Sequence, residues 1–108
     1  MLTLAFNIHP VKASGTIYVR ADGSVDPPTA PIQWSGRVYN FTDNIYDSIV
    51  VQRTNIVIDG QGYTAEGTGS GTGIDLSSRS YVTIKNVRIT GFDWGIFLEG
   101  SSNNTLID

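Results

Sequence analysis

The stretch Gly73-Ile-Asp-Leu-Ser-Ser-Arg-Ser-Tyr-Val-Thr-Ile-Lys-Asn86 returns 22 residues later as Gly95-Ile-Phe-Leu-Glu-Gly-Ser-Ser-Asn-Asn-Thr-Leu-Ile-Asp108. Gly73/Gly95, Ile74/Ile96, Leu76/Leu98, Ser80/Ser102 and Thr83/Thr105 are identical, and Ile84/Leu106 is conservative. Five identities in fourteen positions exceed the roughly one that ordinary composition supplies, since even a common residue such as Gly makes up about 7% of a chain. A fainter copy lies upstream at an offset of 26, where Ser48 to Gly60 is set over Ile74 to Asn86. There Arg53/Arg79 and Ile58/Ile84 are identical, while Val50/Leu76, Thr54/Ser80 and Ile56/Val82 are conservative. The four extra residues fit the tract Gly67-Thr-Gly-Ser-Gly-Thr-Gly73, whose alternating glycines oppose a helix.

Within each unit the apolar residues alternate. Ile56/Ile58, Ile74/Leu76, Val82/Ile84, Val87/Ile89 and Ile96/Leu98 are pairs two apart, so both members of each face one side of a strand. A helix would carry Gly or Asn every few residues, at about 1 kcal/mol per Gly. Short strands at a period near 22 describe a chain that winds into coils, each strand lying parallel to its equivalent one coil later at about 4.8 Å. Ile74 then stacks on Ile96, Leu76 on Leu98 and Ile84 on Leu106, with Val82 near Asn104. Asp75, Phe97, Thr83, Thr105 and Lys85 point outward, and Gly60, Asn86 and Asp108 align as turn residues. Leucine-rich repeats have a similar period but need a denser leucine pattern and a helical segment in each unit. An antiparallel sandwich finds one hairpin signal in Asp59-Gly60, which leaves the 22-residue register unexplained.

The segments Asn55-Ile-Val-Ile-Asp-Gly-Gln-Gly62, Gly73-Ile-Asp-Leu76, Tyr81-Val-Thr-Ile-Lys-Asn86, Gly95-Ile-Phe-Leu98 and Ser101-Ser-Asn-Asn-Thr-Leu106 resemble the right-handed parallel β-helix repeats of pectate-lyase-like proteins. They are most similar to secreted archaeal and bacterial β-helix proteins, including NosD-like and carbohydrate-binding or sugar-hydrolase repeat domains. The resemblance covers Ser48 to Asp108 and implies an all-β solenoid. It says little of activity, because one fold hosts many.

Composition narrows the partners. With 108 residues the chain holds one small domain, and with no Cys it has no disulfide framework. No run approaches the roughly 18 apolar residues of a membrane span. Seven basic residues against ten acidic ones give −3, and the basic ones are scattered along the chain, which argues against nucleic acid. Residues 1–14 are apolar and end in Val11-Lys-Ala13, which reads as the tail of a secretory signal peptide cleaved after Ala13. That reading places the mature chain outside the cell or on its surface and removes His9, the one histidine.

Residues 15–47 are expected to cap the solenoid. Gly15 to Arg20 and Gly36 to Thr42 read as strands, and Ala21 to Pro31 as a Pro-rich surface loop. Residues 48–108 form about three coils, the last cut inside a repeat. Leu106-Ile-Asp108 is then an open edge, suited to further coils of a longer chain or to self-association.

Candidate chemistry is sparse. Asp59, Asp75 and Asp108 are the carboxylates that neighbouring coils could pair for glycoside hydrolysis. Asp59 and Asp108 fit better as turn residues, and Asp75 as a solvated side chain. The clustered Asp, His and Arg-Lys motifs of polygalacturonase-like members, and the calcium and arginine motifs of the lyases, have no match. No catalytic residue is therefore assigned. Copper, the metal attached to NosD-like relatives, prefers His, Met or Cys, and none follows Ala13. Asp93 stands alone and presents no calcium loop, so no metal or cofactor is expected.

Two roles are open to the aromatics around Gly95. Phe92 and Trp94 could pack under the loop Gly67 to Gly73, or Trp94 and Phe97 could form a platform for a sugar ring. Trp34 and Tyr39 fall in the cap. Asn40-Phe-Thr42 and Asn103-Asn-Thr105 are N-glycosylation sequons, Asn103 being at a coil corner. The functional expectation is a non-catalytic, secreted or cell-surface β-helix scaffold that contacts a polysaccharide or cell-surface glycan. The alternative is the N-terminal coils of a polysaccharide lyase or glycoside hydrolase whose active site lies beyond residue 108.

Overall fold

The computed structural model describes residues 15–107. The signal-peptide segment with His9 and the turn residue Asp108 lie outside these. Alternating β-branched residues and short polar turns give twelve strands and, among the described residues, no helix: β1 (Thr16–Val19), β2 (Val25–Asp26), β3 (Ile32–Ser35), β4 (Val38–Phe41), β5 (Ser48–Val51), β6 (Ile56–Asp59), β7 (Thr64–Glu66), β8 (Thr72–Asp75), β9 (Val82–Lys85), β10 (Arg88–Thr90), β11 (Trp94–Phe97) and β12 (Thr105–Ile107). The protein is all-β, and its sheets are built mainly of parallel pairs. In the first sheet the order is β11-β8-β5-β1-β2, in the second β12-β9-β6-β4-β3, and the third pairs β10 with β7. From β5 onward the chain visits the first, second and third sheets in turn, then repeats the circuit, a topology compatible with a β-solenoid.

Register reproduces the repeat. Ile74 pairs with Ile96 and Thr83 with Thr105, both 22 residues apart, and Ile58 pairs with Ile84 at 26. Between β5 and β8, however, Ile49 rather than Ser48 lies beside Ile74, an offset of 25. The corner explains the slip: four residues separate Val51 from Ile56, whereas five separate Leu76 from Val82. A one-residue shift reverses which side chains face inward, and burial decides the matter. Ile49 is 1% exposed and Ile74 0%, so these two stack, whereas Val50 stays outward.

The core is a file of aliphatic side chains from successive coils, with Ile49, Val51, Ile74 and Leu76 from the first sheet side and Ile56, Ile58, Val82 and Ile84 from the second. Each contributes about 1.5–3 kcal/mol by leaving water. Ala65 completes the interior from β7. In the outermost coil Leu98 and Leu106 remain substantially exposed, and Ile96, Leu106 and Ile107 line an open apolar cavity with Ile84, Val87 and Ile89.

The opposite end is closed by antiparallel strands. The segment Ala21 to Pro31 is not only a loop: Val25–Asp26 turns back on β1, around Asp22-Gly23, with Gly23 at φ 98°. Here an Asp-Gly pair does make a hairpin, while Asp59-Gly60 leads from the second sheet toward the third. Ile32–Ser35 likewise folds back on β4 through the two-residue turn Gly36-Arg37, with Gly36 at φ 60°. Val25 and Ile32 are buried over the core, and Tyr39, 0% exposed, stacks on Trp34 at 6.3 Å between ring centroids. No helix of the described residues is long and apolar enough to cross a membrane.

Candidate functional site

Strict alternation would put Trp94 and Phe97, three residues apart in β11, on opposite faces of the strand. They share one, with ring centroids 5.2 Å apart and planes inclined by 30°. The residues between them account for this. A Cβ on Gly95 would lie 3.4 Å from Ile89 Cγ2, so Gly95 faces the interior, and Ile96 also packs against the core. Two consecutive inward positions return Phe97 to the outer face. The preceding coil does the same: a Cβ on Gly73 would lie 3.0 Å from Ile89 Cγ2, and Ile74 is fully buried. The identity of Gly73 and Gly95 thus reflects a shared irregularity of the strand.

Phe92, not Trp94, packs beneath the glycine tract. A Cβ on Gly67 would lie 2.6 Å from Phe92 Cδ1, and one on Gly73 would lie 3.1 Å from Phe92 Cδ2. Trp94 is 59% exposed, which corrects the expectation that it is buried with Phe92.

In the neighbouring strand Thr72 pairs with Trp94 and Asp75 with Phe97. Asp75 Oδ1 accepts hydrogen bonds from the backbone N of Ser77, at 2.8 Å, and from its hydroxyl. This Asx-type turn fixes the carboxylate and leaves Oδ2 without a partner among the described residues. An exposed Trp94 packed on a half-buried Phe97, with a fixed acceptor one strand away, suits a pyranose, whose C–H face lies on the indole while a hydroxyl donates to the carboxylate. Sequence reasoning misses Thr72 and Asp75 as part of this surface. The signal is present in the parallel pairing itself, which sets residues 22 apart side by side.

The other candidates are dispersed. Asp59 ends β6 in the second sheet and Asp75 ends β8 in the first, so neighbouring coils do not pair them. Asp59 Oδ1 accepts from Gln61 N at 2.9 Å and Asn86 Nδ2 at 3.1 Å. Burial pushes its carboxyl up, and these hydrogen bonds with the Lys85 charge outweigh that and hold it below the ordinary value. Asp93 is exposed at the turn before β11. Among the described residues no three His, Cys, Asp or Glu gather as a metal site. Asn40 lies within β4, its Oδ1 accepting from Gln61 Nε2 at 3.3 Å, while Asn103 is exposed at a corner with φ 58°.

No protein-family model, curated protein or solved structure matches the chain.

Proposed function

We propose that the chain forms coils of a right-handed parallel β-helix of the pectate-lyase-like kind, in a secreted or cell-surface protein, and that it serves as a rigid scaffold contacting carbohydrate. The observation that supports this most is the exposed Trp94 with the half-buried Phe97 at 5.2 Å from it, beside Asp75. An aromatic ring left in water at this exposure contributes little to folding and is available to a ligand. The open edges of β11 and β12 accept further coils or a second copy in the same reading.

A glycan array probed with the wild-type chain and with Trp94→Ala and Phe97→Ala tests the role. Each substitution is expected to weaken binding about tenfold, corresponding to about 1.4 kcal/mol of lost stacking. Unchanged binding in both variants overturns the carbohydrate-contact reading.

A further inference from the structure

Three coils turn from the first sheet toward the second through a residue in the left-handed region, Asn55 (φ 63°), Tyr81 (56°) and Asn103 (58°), and Gly36 (60°), in the β3–β4 hairpin of the second sheet, holds the corresponding register position. Register makes them equivalent, since Val38 pairs with Val57, Ile56 with Val82 and Thr83 with Thr105. Gly and Asn take this conformation readily, whereas a bulky residue is an outlier there. Tyr81 gains little packing in return, for it is 60% exposed and has no ring contact or hydroxyl hydrogen bond among the described residues. The fold gives no reason for a tyrosine at this corner.

One coil on, Asn103 stands beside it. The pairs Ser80–Ser102 and Thr83–Thr105 bracket Tyr81 and Asn103, and the backbone N of Val82 donates to Asn104 Oδ1 at 2.8 Å. Asn104 thereby does the structural bonding, its Nδ2 also donating to Arg79 O at 3.3 Å. The Asn103 amide makes no hydrogen bond among the described residues, is exposed, and is followed at the second position by Thr105. The other sequon differs on each count, because Asn40 lies inside β4, flanked by β3 and β6, and its amide is bonded to Gln61.

We propose that Asn103 is an N-glycosylation site and that the first sugar of its glycan lies on the ring of Tyr81. This rests on the secretory reading above. In the transfer, Asn103 Nδ2 forms a bond to the anomeric carbon of a lipid-linked oligosaccharide. The bond from that carbon to the lipid phosphate oxygen breaks, the lipid phosphate leaves, and one amide proton passes to a base of the transferase. The sugar's apolar face then covers a ring that the fold leaves in water, about one interstrand spacing of 4.8 Å away.

The full chain is expressed in a eukaryotic secretory host behind a supplied leader peptide, with a reporter sequon appended as a positive control. Peptide mass spectrometry is expected to find glycan on Asn103 and none on Asn40, with the addition abolished by Asn103→Gln. Enzymatic removal of the glycan is expected to lower the melting midpoint of the wild type by a few degrees and to leave that of Tyr81→Gly unchanged, Gly being used because Asn before Val82-Thr83 would itself make a sequon. The unglycosylated Tyr81→Gly variant, with Gly in a conformation it adopts freely, should melt no lower than the unglycosylated wild type. A modified reporter with bare Asn103 overturns the site, and equal glycan effects in the two backgrounds overturn the stacking on Tyr81. A parallel culture of the chain with its own N-terminus separates the two readings: retention there, with Asn103 modified behind the supplied leader, removes the secretory reading and keeps the site.

Discussion

Gly67 and Gly91 face each other one coil apart at the turn from the third sheet to the first, so closely that neither has room for a side chain. A Cβ on Gly67 would lie 2.5 Å from Gly91 O, and one on Gly91 would lie 2.6 Å from Gly67 O. These are backbone atoms fixed by their own bonds, Gly67 N donating to Thr90 O at 2.8 Å and Gly69 N to Gly91 O at 2.7 Å. Gly67→Ala is therefore expected to cost about 3 kcal/mol, the upper end of what overpacking exacts. Gly15→Ala is the control, since nothing lies within 4 Å of its added Cβ, and it should change stability by no more than about 0.5 kcal/mol. Urea unfolding of the two variants checks the contrast.

The closed end of the molecule depends on one phenol. Tyr39 OH donates to Gly23 O at 2.6 Å and accepts from Arg53 Nη1 at 2.8 Å, tying the hairpin of the first sheet to β4 in the second. Tyr39→Phe leaves the buried Gly23 carbonyl without that donor. The expected loss is about 1–3 kcal/mol, with hydrogen exchange quickening first at Val25 and Ile32 in the two end strands.

Acid should weaken the corner after β6. The Asp59 carboxyl is depressed below its ordinary value of 3.8, because its hydrogen bonds from Gln61 and Asn86 and the charge of Lys85 outweigh the upward push of burial. A depressed folded-state value means that the contribution is fully present above 3.8 and is lost as pH falls through the lower folded value. The stability gap between wild type and Asp59→Asn is thus expected to be largest at neutral pH and to shrink well below 3.8. A gap that stays constant across that range would show that the charge of Asp59 is not what matters at this corner.

Much of the stacked half is legible in the sequence because parallel pairing turns a sequence period into a spatial one. The 22-residue period alone sets Ile74 beside Ile96 and Thr83 beside Thr105, and the strand pairs have both. The upstream comparison sets Ser48 against Ile74, one residue out, since a single omitted corner residue between Val51 and Ile56 is invisible among mostly conservative matches. The end strands β2 and β3 escape a search for repeats for another reason. Their hairpins turn on Asp22-Gly23 and Gly36-Arg37, local signals that lie outside the repeat. Trp94 is half legible: strict alternation places it on the face opposite Phe97, and only the consecutive inward pair Gly95 and Ile96 brings the two onto one face. Asp75 reads as a solvated outward residue, and its fixed orientation comes from a bond to Ser77 that composition does not reveal.

The side-by-side packing of equivalent isoleucines carries everything else, and methyl NOE spectroscopy of isoleucine-labelled protein reads it directly. Cross-peaks are expected from Ile74 to both Ile49 and Ile96, and between Ile58 and Ile84, following the parallel registers of 25, 22 and 26 residues. Absence of the Ile74–Ile96 cross-peak, or backbone NOEs running antiparallel between β8 and β11, would contradict the stacked arrangement and the aromatic surface built upon it.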